Sequence, residues 1–323
     1  MATGSQVVGG LRRIIAPPTA LPRAAVFFLF RLFVCRHAAS VKALSANEIR
    51  RAVIAALVED LGPGDATTRA TVPRIARARA VLRAREPLVV AGLGFAEAAF
   101  RQLAPAVRIK KPVRDGQRVR AGTGLLLVSG PARAILSAER VALNFVQRLS
   151  GVATVTAQFT HAVRGTKTQI LDTRKTTPGW RRFEKYAVAC GGGRNHRFGL
   201  YDLVLIKDNH LAALRQAKPN AITAAVARAR KKFPRLKVEV EADTLAQVAQ
   251  AVAAGADIIL LDNMTPAQLR RAVKRVAGRA QTEASGGVTL KTVRTMARTG
   301  VDFISVGALT HSAPAVDIGL DFE

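Results

Sequence analysis

The sequence predicts an α/β protein in two parts. A module of helices and short antiparallel strands comes first, then a complete or partial barrel of parallel strands. Three observations predict it. Of 323 residues, 49% are hydrophobic and only 5% aromatic, so the core must be mainly Ala, Val, Leu and Ile. Ala-rich helices over Val/Ile strands suit this class. From Gly151 onward, apolar runs of strand length alternate with helical patterns, which implies parallel strands. Charged or glycine-rich residues recur at or just past the C-terminal ends of those strands, where barrel side chains converge on one mouth.

The first 47 residues contain no Asp or Glu. They carry several Arg residues and one apolar run, Ala24 to Cys35, too short to span a bilayer. The stretch has the basic, acid-free character of a transit peptide. Two other readings are favoured: a disordered leader, or translation from a start codon set too far upstream. Residues 1–43 are therefore left out of the fold. Folding is expected to begin near Ser45, where Ser45 and Glu48 form a capping-box pattern. Ile49, Val53, Leu57 and Leu61 then recur at helical spacing, and Gly62-Pro63-Gly64 ends the helix. Strand candidates follow at Arg79 to Arg85 and Leu88 to Ala91, then a helix at Gly94 to Leu103. Turns at Asp115-Gly116 and Gly122-Thr123-Gly124 precede a strand at Leu125 to Val128. A long helix is expected from Ser137 towards Leu149, closing a first domain over 44–149.

The second domain is predicted over 150–310. A separate helix, Val152 to Val163, leads to strand Gln169 to Leu171. Strand Leu203 to Ile206 precedes helix Ala221 to Lys232, and strand Lys237 to Val240 precedes helix Leu245 to Ala254. Strand Ile258 to Leu261 precedes helix Pro266 to Val276. A short strand, Thr282 to Ala284, precedes helix Thr289 to Thr299, and Phe303 to Val306 closes the series.

The formal net charge is +28. Such a balance prompts a nucleic-acid reading. With one Trp, Trp180, and two tyrosines, Tyr186 and Tyr201, there is little to stack on bases. No zinc-finger or basic-zipper spacing appears. A basic enzyme that draws in acidic small molecules fits better, since surface charge steers anions inward. Cys35 and Cys190 make neither a disulfide framework nor a metal set, which fits a reducing compartment such as the cytoplasm. Cys190 is read as an apolar filler.

The chemistry is densest between Asp172 and His210. Arg174, Lys175, Arg181, Arg182, His196, Arg197 and Lys207 crowd around Gly191-Gly192-Gly193. Clustered cations repel one another, so an anionic ligand is expected to offset the repulsion, and the glycines would let backbone approach it closely. His196 is read as a donor to an anion rather than a metal ligand, and His210 as a brace for its loop. Glu241 and Asp262 each end an apolar strand. They either hold Mg²⁺ or a substrate diol, or pair with Lys207 or Arg174 as structural salt bridges. Ser285-Gly286-Gly287 and Gly307 are candidate phosphate cradles. Arg140, beside Glu139 on the long helix, reads alone as a surface arginine.

Several stretches, in this order, carry a resemblance: EDLGPGDATT, ERVALNFVQRLSGVAT, DTRKTTPGWR, GGGRNHR, LIKDNH, VEVE, LLDNM, ASGG and VGALTHSAP. From about Leu44 to Phe322 the chain resembles the quinolinate phosphoribosyltransferases. The resemblance implies an N-terminal α/β sandwich domain plus an incomplete α/β barrel, with a tail over 311–323 returning to the first domain. It implies a homodimer with shared active sites, and transfer of phosphoribosyl from phosphoribosyl pyrophosphate to quinolinate with loss of CO₂. By the same resemblance, Arg174, Lys175, His196 and Arg197 hold quinolinate, with Arg140 supplied across the dimer. Lys175 and Lys207 serve phosphoribosyl pyrophosphate. Glu241 and Asp262 form the ribose and Mg²⁺ site. Ser285, Gly286, Gly287 and Gly307 take the 5′-phosphate. Lys175, Lys207, Glu241 and Asp262 are the expected catalytic group. Two alternatives remain open: a related phosphoribosyltransferase of the molybdenum-transport type acting on another acid, and a nucleic-acid-binding module without catalysis.

Overall fold

The computed structural model describes residues 43–323, so the leader over 1–42 lies outside the described residues. The first elements are α1 (Ala46–Leu61), α2 (Ala66–Thr71), β1 (Arg77–Ala84), β2 (Leu88–Val89), α3 (Leu93–Leu103), β3 (Arg108–Lys110), β4 (Arg118–Val119), β5 (Gly124–Pro131) and α4 (Ala132–Ala162). The predicted capping box is present: Ser45 accepts from the Glu48 amide, and Glu48 accepts from the Ser45 amide at 2.8 Å. Each satisfies a helix-end donor that has no partner within the helix.

Two helices were expected on either side of Gly151, but α4 runs unbroken through it for 31 residues. A mid-helix glycine is tolerated there for a packing reason. A Cβ on Gly151 would lie 2.0 Å from the Pro314 carbonyl oxygen, so glycine makes room for the C-terminal segment to cross the helix.

The rest of the chain adds β6 (Gln169–Leu171), α5 (Arg181–Cys190), β7 (Val204–Ile206), α6 (Asp208–Ala212), α7 (Ala221–Lys232), β8 (Val238–Ala242), α8 (Leu245–Ala253), β9 (Ile258–Asp262), α9 (Pro266–Val276), β10 (Gln281–Ser285), α10 (Val293–Ala297), β11 (Phe303–Ser305), α11 (Ala308–His311) and β12 (Ile318–Phe322). Six parallel strands pair in the order β6-β11-β10-β9-β8-β7, and β6 does not pair with β7. The barrel is therefore open. A second sheet, β12-β1-β5-β3, is antiparallel, and β12 brings the chain's end against β1.

The central strands β8, β9 and β10 read as near-continuous apolar runs on the helix-facing side, where Val238, Val240, Ile259, Leu261 and Ala284 are buried. The other side alternates with it at a period of two. That period puts Glu239 and Glu241 on one face of β8, Leu260 and Asp262 on one face of β9, and Glu283 and Ser285 on one face of β10. The register aligns Glu241 with Leu260 and Asp262 with Ser285, so this polar face is continuous across strands. Among the described residues, no helix is long and apolar enough to cross a membrane.

Candidate active site

The polar face opens into a cleft of about 440 Å³. Thr173, Arg174, Lys175, His196, Arg197, Lys207, Glu241, Asp262, Glu283, Ser285 and Ser305 line it. Seven of the sequence-predicted residues with charged side chains thus meet in one place. A larger cleft of about 800 Å³ lies between α1, α4 and the Pro178–Phe183 stretch. Its walls mix aromatic rings with scattered charges, whereas the smaller cleft gathers cations opposite acids, which is the arrangement that binds and activates a ligand.

The cations are held on two arms, and a buried network joins them. Asp172, just past β6, is fully buried and pairs with Lys185 of α5, which is also fully buried. Asp172 also accepts from the Asn195 side chain at 2.6 Å and from the His196 amide at 2.9 Å. Lys185 donates to the His196 carbonyl at 3.0 Å. The Thr173–Lys175 arm and the His196–Arg197 arm therefore hang from one ion pair. Burial pushes the Asp172 carboxyl up and Lys185 pulls it back, while burial pushes the Lys185 ammonium down. Glu184, also buried, fixes the other end of the first arm by accepting from the Thr177 amide at 3.0 Å and from Arg148 at 2.7 Å.

Neighbouring cations leave Arg174 and Arg197 poised for an anion. The Arg174 Nε is buried without a hydrogen-bond partner. Burial and the Arg174 charge lower the Arg197 pKa. Both effects would be relieved by a carboxylate accepting from the two guanidinium forks.

His196 was expected to donate to an anion. The anions its Nε2 meets are the protein's own: Glu239 at 3.2 Å and Glu283 at 3.4 Å. These are charge contacts without hydrogen-bond alignment, and all four carboxylate oxygens lack an aligned partner. Burial would push the imidazole down, but the two carboxylates outweigh it and raise its pKa, while the Arg197 amide donating to Nδ1 keeps that nitrogen unprotonated and leaves the ring proton on Nε2, towards the glutamates. Burial and Glu283 push Glu239 up to about 7, with His196 and Arg197 pulling the other way. The trio is also the one His/Asp/Glu set, among the described residues, close enough to share a metal ion.

Glu241 and Asp262 face each other from β8 and β9. The salt-bridge reading of Glu241 holds loosely, with Lys207 Nζ 3.9 Å from its carboxylate. Burial raises both carboxyls. Neighbouring acids add to that rise: Asp262, Asp208 and Asp243 around Glu241, and Asp243 around Asp262. Such an excess of hard oxygen donors fits a divalent cation that uses one or two carboxylates and completes its shell with phosphate and water.

The glycines divide by role. Gly286 and Gly287, just past β10, have φ of 96° and 57°. A Cβ on Gly286 would meet Asn263 Oδ1 at 2.0 Å, and one on Gly307 would meet Lys175 Cδ at 3.2 Å. The triple glycine does not face the cleft. A Cβ on Gly191 would lie 2.4 Å from the Ala153 carbonyl, and one on Gly193 2.7 Å from Thr156 Cγ2, so these glycines seat the end of α5 against α4. Cys190 beside them is pushed up to about 12 by burial, which keeps the thiol neutral and suits a filler. His210 braces its loop as expected, its Nδ1 accepting from the Lys207 amide at 2.9 Å. Arg140 is exposed on α4 and is not among the residues lining this cleft.

Sequence reasoning missed Glu239, Glu283, Asp172, Lys185 and Asn195 as parts of the site. For the two glutamates a signal existed, since each is an acid inside an apolar strand on the mouth-facing side. Lys185 gave none, because a lysine on an amphipathic helix reads as solvent-facing.

Residues 65–150 match the N-terminal domain of quinolinate phosphoribosyl transferase, and residues 152–321 match its C-terminal domain. The chain is 46% identical over 281 residues to the nicotinate-nucleotide pyrophosphorylase (carboxylating) of Mycobacterium leprae, covering 85% of this chain and 96% of that one. It is 42% identical over 265 residues to the probable nicotinate-nucleotide pyrophosphorylase (carboxylating) of Bacillus subtilis, covering 82% and 90%. The solved nicotinate-nucleotide pyrophosphorylase of Francisella tularensis superposes with a TM-score of 0.82 at 39% identity, covering 88% of this chain and 99% of that one.

Proposed function

Because the chain belongs to the quinolinate phosphoribosyltransferase family, we propose that the cleft at the open barrel's mouth is where its reaction takes place. The enzyme is a carboxylating nicotinate-nucleotide pyrophosphorylase: it transfers phosphoribosyl from phosphoribosyl pyrophosphate to quinolinate and releases pyrophosphate and CO₂, a step of de novo NAD biosynthesis. The observation that carries the site assignment is the convergence of Arg174, Lys175, His196, Arg197 and Lys207 on one cleft with Glu241 and Asp262.

In this reading Arg174 and Arg197 grip the two carboxylates of quinolinate, which need donors in fixed directions. Lys175 and Lys207 face the phosphates and offset charge as pyrophosphate departs. Glu241 and Asp262 lie where the ribose turns cationic as the pyridine nitrogen attacks its anomeric carbon, and a carboxylate stabilises that charge. Mg²⁺ held by Glu241 and Asp262, directly or through water, would neutralise the leaving pyrophosphate. Ser285 and the backbone at Gly286, Gly287 and Gly307 take the 5′-phosphate. Alkylation of the nitrogen gives a pyridinium, which stabilises the carbanion left by the departing CO₂; that carbon takes a proton from water to give nicotinate mononucleotide, so no protein nucleophile is needed. The exposed Arg140 serves the cleft of a second copy in a homodimer, where a guanidinium would complete the grip on quinolinate. A cytoplasmic enzyme fits a chain without a disulfide framework.

The test uses purified protein with both substrates and Mg²⁺. Stoichiometric CO₂ and pyrophosphate are expected. Arg197→Ala should fold normally and lose quinolinate turnover; near-normal turnover would overturn the pocket assignment.

A further inference from the structure

Glu239 and Glu283 have no part in the scheme above, yet both are buried carboxylates, Glu283 in the wall of the cleft and Glu239 beneath it against His196. Each is at most 1% exposed, and none of their four oxygens has an aligned hydrogen-bond donor. Two carboxylates buried in this way lower stability, and a chain selected only to fold would carry apolar side chains there. Their shared feature is His196. Its Nε2 sits between them, and its Nδ1 accepts from the Arg197 amide at 2.7 Å. The ring is thus a strut from the barrel interior to the main chain of Arg197. The strut's own backbone is pinned by Asp172 and Lys185. The Arg197 guanidinium has one further tie, to the Leu203 carbonyl at 3.3 Å.

We propose that Glu239 and Glu283 are positioning residues for the quinolinate side of the cleft, holding the His196 ring and, through it, Arg197 in the orientation that receives a carboxylate. The inference rests on the assignment of His196 and Arg197 to quinolinate. Two acids are needed because Nε2 lies between two strands, β8 and β10. An acid on one strand alone would draw the ring to its own side. β9 lies between them and offers Ile258 opposite Glu239 and Leu260 opposite Glu283, so the pair straddles an apolar strand. The opposing idea is that buried acids here merely repel a dicarboxylate. The two ideas predict opposite signs, which makes the inference testable.

The experiment measures steady-state kinetics of Glu239→Gln and Glu283→Gln in the full chain, varying quinolinate and phosphoribosyl pyrophosphate separately, with a urea midpoint for each variant. Gln keeps the shape and removes the charge. The expected result is a rise in KM for quinolinate of about 10- to 100-fold, the range a displaced binding group produces. KM for phosphoribosyl pyrophosphate should stay within about twofold, because its ligands stand on other strand ends. An unchanged or lower quinolinate KM overturns the inference and leaves the pair as a source of repulsion only. A parallel rise in both KM values also overturns it, as a merely structural role. Should the Gln variants not fold, Glu283→Asp keeps the charge but draws it back by one methylene, and it is read by the same two constants. Arg197→Ala is the reference. If it keeps near-normal quinolinate turnover, the pocket assignment itself fails; if it loses turnover while the glutamate variants keep the parental KM, only the positioning role fails.

Discussion

The Asp172–Lys185 pair is the joint on which both cationic arms turn, so removing one partner should damage stability and catalysis together. Lys185→Met keeps the length of the side chain and deletes its charge. Asp172 would then be a fully buried carboxylate with two neutral donors left, the Asn195 side chain and the His196 amide. Breaking a buried pair on one side lowers stability by about 3–5 kcal/mol. The two remaining hydrogen bonds to a charged acceptor, about 1.5–3 kcal/mol each, already stabilise the carboxylate, which favours the lower end, about 3 kcal/mol. Asp172→Asn in the same background removes the stranded charge. The double variant should therefore be less destabilised than the sum of the single variants, by about 1–3 kcal/mol of coupling. Urea unfolding of the four proteins measures this. Quinolinate kinetics should fall in parallel, because a shift of about 1 Å in a binding group can lower the rate by about 100-fold. A Lys185→Met protein within about 1 kcal/mol of the parent, or strictly additive variants, would refute the claim that this pair is a coupled buried charge joint.

Three further outcomes are expected. Gly151→Ala places a Cβ 2.0 Å from the Pro314 carbonyl, so the C-terminal segment must shift, and thermal unfolding should show a loss of about 1–3 kcal/mol; an unchanged midpoint would mean that segment moves freely. Glu48 is held down to about 2 from 4.5, first by the Ser45 amide and then by Arg182. A lowered carboxylate contributes fully above its unfolded value and loses that contribution as pH falls towards 2. Glu48→Gln should therefore be less stable than the parent by about 0.5–1 kcal/mol at pH 7, after allowance for solvent screening, with the gap closing near pH 2; a gap independent of pH would contradict the assignment. Arg140→Ala and Arg197→Ala proteins, each inactive alone, should regain about a quarter of parental activity when mixed and reassociated, since half of random dimers are mixed and each has one intact cleft; no recovery would count against shared sites.

Much of this molecule was legible before any coordinates, and the reasons are local. The boundaries of α7 and α9 follow from apolar spacing and from breakers at their ends, Asn220 before α7 and Thr265-Pro266 at the start of α9. A complete or partial barrel followed from repeated strand–helix units, its openness only from the family resemblance, and its mouth from where charges fall along the strands. Misreadings occurred where a tertiary contact overrides a local rule. Gly151 looked like a helix break but is a crossing point. Gly191 to Gly193 looked like a ligand cradle but seat one helix on another. α5 was not read from the sequence: Arg181 and Arg182 were counted into a cation cluster around the glycines, and nothing along the chain shows that Lys185 turns inward to Asp172.

The buried acids show why a site is only half visible in sequence. A cation at a strand end announces itself, because the strand stops and the charge has somewhere to go. Glu239 and Glu283 lie within strands, where an acid is expected to be an error or an edge. Only the pairing register makes sense of them: β8 and β10 flank β9, and the His196 ring spans the gap from above. His196 comes from a segment more than forty residues away from either glutamate, so no window along the chain contains the trio. The cations that meet the substrate are local features of the sequence; the anions that hold those cations in place are a property of the fold, and substitutions at Glu239 and Glu283 are where that difference becomes measurable.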